Sequence, residues 1–355
     1  MTRALLNPSP APERVAPPGG SDVLTFHRAL RGYAPTPLRA LPEETEALGL
    51  GELWLKDENG RFGLPAFKIA GASWALERLL AERPGVRSVW AASEGNHGRA
   101  VARAAAQRGL SARIFLPAAT SRSRAGAIAS EGAEVVRVPG VYEDAVAAAA
   151  EAAGEPGAAT LADVAYDEAD PVARWVSDGY STIFAEASEQ ADAPFDVVLC
   201  QIGVGSFASA AIRFACHQSP PARVVGVEPA TAACAMASLA AGRPVVIDTP
   251  GTSMAGLNCA TPSHAAWPAL RDGLTGCVAI SDDESRAAMR DLASMGVVAG
   301  DCGAASLAAL RALVHDPECA ELARGAGLGS ASRVLLVSTE GATDPEAYAE
   351  TMERT

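Results

Sequence analysis

SVWAASEGNHGRAVARAAAQRGLSARIFLP, residues 88–117, holds in small compass the pattern that the rest of the chain repeats. SVWAA (88–92) is a short apolar run of strand type. SEGN then turns the chain with a glycine, and the alanine-rich segment from Gly98 to Arg108 has strong helix propensity. ARIFLP (112–117) returns as a second strand. Strand, turn, helix and strand of these lengths form a right-handed βαβ unit, and such units build parallel sheets.

The alternation runs outward in both directions. LWLK around Trp54 predicts a strand and Phe67 to Leu80 a helix. EVVRVP (134–139), DVVLCQI (196–202), RVVGVEP (223–229) and RVLLVST (333–339) predict further strands, with helices between them at 142–153, 172–190, 284–294 and 304–314. The expected fold is α/β, two domains each with a mainly parallel twisted sheet flanked by helices. The run 88–162 has enough strands for a sheet of its own. We therefore expect a small α/β domain at 88–185, inserted in a larger one made of 21–87 and 186–355. Residues 1–20, rich in Pro and Gly, read as a mobile arm without the apolar run of a secretion signal.

Composition narrows the function. Of 355 residues 49% are apolar and 20% charged, which excludes general disorder. The formal net charge of -13 repels phosphate backbones, so nucleic-acid binding is disfavoured. No apolar run reaches membrane-spanning length. The seven cysteines form no CxxC pair and the five histidines no HxxxH, so no metal site is expected and the thiols read as reduced and cytoplasmic. Lys and Arg total 29, yet lysine stands only at Lys56 and Lys68. Arginine supplies charge but not a carbonyl nucleophile, whereas a lysine amine does.

Four segments carry polar groups where parallel-sheet enzymes place their chemistry, at the turn from strand to helix. RFGLPAFKIAGAS (61–73) puts Lys68 near a helix start, where the helix dipole would lower the pKa of its amine; a solvated first-turn lysine is the plainer reading. ASEGNHGRA (92–100) presents Ser93, Glu94, Asn96 and His97, or simply caps a helix. QIGVGSFASA (201–210) offers free backbone N–H groups for a phosphate, and Gly203, Gly205 and Ala208 also fit GxGxxA with Glu228 about where a ribose-binding acid would stand. That leaves an NAD(P)-dependent oxidoreductase open. STEGATDPEAY (338–348) presents the hydroxyls of Ser338 and Thr339, or an N-cap cluster before a last helix. Asp163, in TLADVAY, is a base or a loop cap.

Taken together, these segments resemble the fold-type II pyridoxal-phosphate enzymes (the tryptophan synthase beta and serine-threonine dehydratase superfamily), and among them the diaminopropionate ammonia-lyases. FHRALRGYAPTPL (26–38), KDENGRFGLPAFKIAG (56–71), EGNHGRAVA (94–102), GVGSFA (203–208), TSMAGLNC (252–259) and STEGATDP (338–345) follow in family order over nearly the whole chain. The resemblance implies that Lys68, beside Phe67, holds pyridoxal 5′-phosphate. It implies Asn96 as partner of the cofactor's 3-hydroxyl and Gly203, Val204, Gly205 and Ser206 as the phosphate cradle. It implies Thr339 or Ser338 as partner of the pyridine nitrogen. Asp163 falls where the family has an acid serving the L-substrate, and Glu94 where it has an Asp implicated in handling the D-substrate.

The implied activity is a carbon–nitrogen lyase reaction, the α,β-elimination of 2,3-diaminopropionate to pyruvate and ammonia through an aminoacrylate, in a homodimer. Two departures bear on the substrate. Glu94 has one methylene more than the family's Asp, and Asp301 and Cys302 in GDCGAA stand where the family has Glu and Ser. A serine/threonine dehydratase-like eliminase, a β-replacement or tailoring enzyme, and a binding protein on a retired scaffold are the alternatives.

Overall fold

The computed structural model describes residues 3–165 and 171–353. Its strands are β1 (Ala4–Leu6), β2 (Leu38–Ala40), β3 (Glu52–Asp57), β4 (Ser88–Ala92), β5 (Ser111–Pro117), β6 (Glu134–Val138), β7 (Ala158–Thr160), β8 (Val197–Gln201), β9 (Arg223–Pro229), β10 (Gly276–Ile280) and β11 (Arg333–Ser338). They form two sheets. The larger has the order β1-β10-β9-β8-β11-β3-β2, and the smaller β6-β5-β4-β7. The smaller sheet is parallel throughout. In the larger, only β1 and β2 at the two edges run antiparallel.

The interior strands β8 and β10, neither of them at an edge, are buried at every position, as a sheet covered by helices on both faces requires. The segment read as a mobile arm is tied down from its first described residues. Ala4–Leu6 pairs with Gly276–Val278, and Asn7 Nδ2 donates to the carbonyls of Arg271 and Leu274 at 2.8 Å. Proline and glycine counts missed this because three residues of edge pairing leave no compositional mark.

The expected helix over 172–190 is two helices, Val172–Gly179 and Ser181–Gln190, that meet at Tyr180. The first crosses the helix Lys68–Glu82 so closely that a Cβ on Gly179 would lie 2.5 Å from the Ala70 carbonyl oxygen, and one on Gly71 would lie 2.5 Å from the Tyr180 ring. Both glycines are therefore set by packing rather than by backbone conformation.

Lys56 is buried in an ion network. Its Nζ donates to Glu186 Oε2 at 2.9 Å, to Gln190 Oε1 at 2.8 Å and to the Thr36 carbonyl at 2.7 Å. Arg61 bridges Glu58 and Glu186 from the other side. The side chains of Lys56, Arg61, Glu58 and Glu186 are all 0% exposed, so this lysine is a structural one. The network clamps the start of the loop that leads to Lys68.

Candidate active site

The residues that the resemblance assigns to the site lie at or beyond the carboxyl ends of strands. Lys68 follows β3, Glu94 and Asn96 follow β4, Asp163 follows β7, Gly203–Ser206 follow β8, and Ser338 and Thr339 end β11. Loops from both sheets thus supply the groups, as expected of a ligand crevice between parallel sheets.

Lys68 opens the helix Lys68–Glu82, and its Nζ donates to Asp163 Oδ2 at 2.8 Å. Their side chains are 20% and 16% exposed, enclosed yet reachable. Burial opposes the charge on Lys68, but Asp163 outweighs it and holds the ammonium above the usual lysine range. The lowered value expected from the helix start is corrected: a carboxylate in contact prevails over a dipole end. Burial also opposes ionisation of Asp163, yet the Lys68 ammonium in contact keeps its carboxyl well below the usual range. Phe67 packs into the core with its ring tilted against those of Tyr180 and Phe207, centroids 4.7 Å from each, and Lys68 Nζ lies 5.3 Å from its centroid.

In the turn after β4, Ser93 takes the capping role. Its Oγ accepts from the N–H groups of Gly95 and Gly98. Asn96 is released from that task, and its Nδ2 donates to Glu340 Oε2 at 2.5 Å. Glu340 also accepts from the Cys302 N–H at 3.3 Å, and burial raises its carboxyl above the usual value. Glu94 does not join Lys68 and Asp163. Its Oε2 accepts from Thr120 Oγ1 at 2.7 Å, on the small sheet's side.

The glycine-rich turn opens the helix Ser206–His217. Gly205 has φ +94°, which favours glycine, and a Cβ on Gly203 would lie 2.8 Å from the Gly256 carbonyl oxygen in the facing loop. Ser206 Oγ is committed to the Asp163 carbonyl at 2.7 Å, so this residue offers its backbone N–H rather than its hydroxyl. Val204 is fixed by its carbonyl, which accepts from Ser263 N at 2.8 Å.

Glu228 is not a ribose-binding acid. It is wholly buried and accepts from the N–H groups of Ala235 and Met236 at 2.7 and 2.9 Å. Burial pushes its carboxyl up to about 7 despite those bonds. The GxGxxA match therefore lacks the acid that a dinucleotide fold needs.

The residues fit pyridoxal 5′-phosphate. Ser338 Oγ and Thr339 Oγ1 are buried and have no hydrogen-bond partner among the described residues. Two unsatisfied hydroxyls at one strand end are costly unless a ligand meets them. Lys68 supplies an amine for an aldehyde, and the Gly203–Ser206 turn leaves backbone room for a phosphate at a helix start. Sequence reasoning passed over the surroundings of the Lys68–Asp163 pair: Tyr180, whose buried hydroxyl has no partner among the described residues, and Cys259. Only spatial proximity marks them.

Comparison with known proteins agrees. The family of pyridoxal-phosphate dependent enzymes matches residues 29–340. The diaminopropionate ammonia-lyase of Salmonella typhimurium is 34% identical over 93% of this chain and 90% of its own length. That of Escherichia coli K12 is 32% identical over 92% of this chain and 89% of its own. The crystal structure of the Escherichia coli enzyme in complex with an aminoacrylate-PLP azomethine reaction intermediate superposes with a TM-score of 0.89 at 30% identity, covering 99% of this chain and 96% of that one.

Proposed function

The chain belongs to the pyridoxal-phosphate dependent enzymes and, within them, to the diaminopropionate ammonia-lyase family, and on that footing we propose that it eliminates ammonia from 2,3-diaminopropionate to give pyruvate and ammonia. The observation that carries the proposal is the 2.8 Å contact between Lys68 Nζ and Asp163 Oδ2, set among the glycine turn, Asn96 and the two unsatisfied hydroxyls.

Pyridoxal phosphate supplies an aldehyde that takes up amines and a conjugated ring that withdraws electrons from the carbon attached to nitrogen. Lys68 holds it through Nζ. Gly203, Val204, Gly205 and Ser206 receive the phosphate with backbone N–H groups. Asn96, its amide oriented by Glu340, would hold the ring hydroxyl, and Ser338 or Thr339 would serve the ring nitrogen. Phe67 anchors the helix start that presents Lys68. Asp163 is ionised and placed to accept a proton, from Nζ or from the substrate carbon. Lys68, once its nitrogen is free, gives a proton to the departing amino group, so that it leaves as ammonia. A neutral hydroxyl at the ring nitrogen stabilises less charge there than a carboxylate would, which suits prompt elimination.

The separate sheets support a division into a large domain, 21–87 with 186–355, and a small inserted one, 88–185, whose sheet strands fall within 88–160. A homodimer is carried over from the resemblance. A cytoplasmic setting is supported by the free state of all seven cysteines. Among the described residues no helix is long and apolar enough to cross a membrane.

A second reading, elimination from a different β-substituted amino acid, is favoured by one observation: Glu94 is engaged by Thr120 rather than by the Lys68–Asp163 pair. The test is pyruvate release from 2,3-diaminopropionate, serine and threonine by the cofactor-loaded enzyme. Faster turnover of diaminopropionate, abolished by Lys68→Ala together with the visible absorption band, is expected. Preference for serine or threonine overturns the substrate assignment.

A further inference from the structure

His97 is the second residue of the helix Asn96–Gln107 and is 5% exposed. Its Nε2 lies 2.9 Å from the Leu161 carbonyl oxygen. A carbonyl only accepts, so Nε2 carries the hydrogen, and in the neutral ring Nδ1 is a bare acceptor. That Nδ1 is buried, has no hydrogen-bond partner among the described residues, and lies 3.8 Å from Asp163 Oδ2. Two bare acceptors so close repel, and a proton between them removes the repulsion.

The groups around the ring come from three elements. Asp163 lies beyond β7, Lys68 begins its helix, and the Tyr180 hydroxyl, without a hydrogen-bond partner among the described residues, sits at the junction of two helices beside that pair. Burial lowers the imidazole's pKa, Asp163 pulls it up, and Lys68 pushes it down again. With Lys68 protonated, Asp163 already has its cation and Nδ1 stays empty. When Lys68 Nζ gives up that charge, the carboxylate loses its partner and the influence disfavouring a charged imidazole disappears with it.

We propose that His97 is the positioning residue that backs Asp163, its Nδ1 holding the proton that leaves the Lys68–Asp163 pair. The inference rests on the function proposed above. In the transfer the Lys68 Nζ–H bond breaks and Nζ keeps the electron pair. The Nδ1–H bond forms, the imidazole becomes imidazolium, and Asp163 remains a carboxylate hydrogen-bonded to it. The two atoms must close by about 1 Å to reach charge-assisted hydrogen-bond length. The held proton is then available to Lys68 for return to the departing amine.

His97→Gln tests this, because the glutamine Nε2 reaches the Leu161 carbonyl while nothing replaces Nδ1. Expected are a fall in kcat of about 100-fold with little change in KM, and a changed acidic limb of the kcat pH profile. Nitrogen-15 NMR of the histidine-labelled wild-type protein gives an independent answer. Nδ1 of His97 should read as unprotonated without pyridoxal phosphate and as protonated with it near neutral pH. An Nδ1 unprotonated in both forms overturns the proposal, as does a His97→Gln enzyme within about twofold of wild type with an unaltered pH profile. If that variant fails to fold, the NMR result decides. If diaminopropionate is not turned over although pyridoxal phosphate binds, the substrate assignment fails and the NMR result still judges His97.

Discussion

Glu94 accepts a hydrogen bond from Thr120 at 2.7 Å, and this contact between a turn and the loop after β5 holds the second carboxylate of the site apart from Lys68 and Asp163. The position is one where the resemblance implies an acid serving the D-substrate. A misplacement of about 1 Å costs on the order of 100-fold in rate. The L-enantiomer of diaminopropionate is therefore expected to be used about 100-fold more efficiently than the D-enantiomer. Glu94→Asp, which shortens the reach to Thr120, should narrow the gap. Equal kcat/KM on the two enantiomers in the wild-type enzyme would refute this role of the Glu94–Thr120 contact.

The Lys68–Asp163 pair sets a pH window for the cofactor-free protein. Asp163 is depressed, so its contribution is complete above the ordinary carboxylate value of about 3.9 and is lost as pH falls through its lower folded value. Lys68 is raised, so its share is complete below about 10.4 and is lost as pH climbs through its higher folded value. Between those limits the pair should add no pH dependence to the urea midpoint. In Asp163→Asn, burial still lowers the amine while its strongest raising partner is gone. The pH of half-maximal pyridoxal phosphate capture should then move down in stopped-flow absorbance; an upward move contradicts the balance between burial and the carboxylate.

Gly203→Ala should weaken pyridoxal phosphate binding at least about tenfold. A Cβ there would lie 2.8 Å from a backbone oxygen, which has no flexible end to yield, so the turn or the 254–259 loop must shift. Fluorescence titration of the cofactor-free variant measures the change. Unaltered affinity would remove this turn from the proposed phosphate site.

Lys56→Met should cost about 3 kcal/mol of stability by leaving Glu186 short of one cation in a closed interior. Arg61 remains, so folding should survive. The visible band of the loaded variant should match wild type. A lost band with unchanged stability would reverse the roles of the two lysines.

The sheet strands were legible because apolar runs such as DVVLCQI and RVLLVST are bounded by glycine, proline or charge, and the structure places strands at 197–201 and 333–338 within them. Lys68, Asn96 and the Gly203–Ser206 turn were legible for a related reason, since strand-to-helix turns declare themselves locally. The pairing of Lys68 with Asp163, 95 residues apart, was not, nor was the turn of Glu94 toward Thr120. Side-chain direction depends on neighbours from distant segments and leaves no period or spacing behind. Glu340, inside the stretch that also read as an N-cap cluster, escaped notice for the same reason, although it is a buried support for Asn96. The β1 strand was hidden by its shortness.

With Lys56 sealed inside its ion network and no third lysine in the chain, chemistry aimed at side-chain amines has a single address. Once the α-amine is set aside by peptide mapping, aldehydes, active esters and isotopic tags applied to the native protein would report on residue 68. A crude labelling experiment thereby becomes a titration of one group, and occupancy of the crevice can be followed by how far the reagent is shut out.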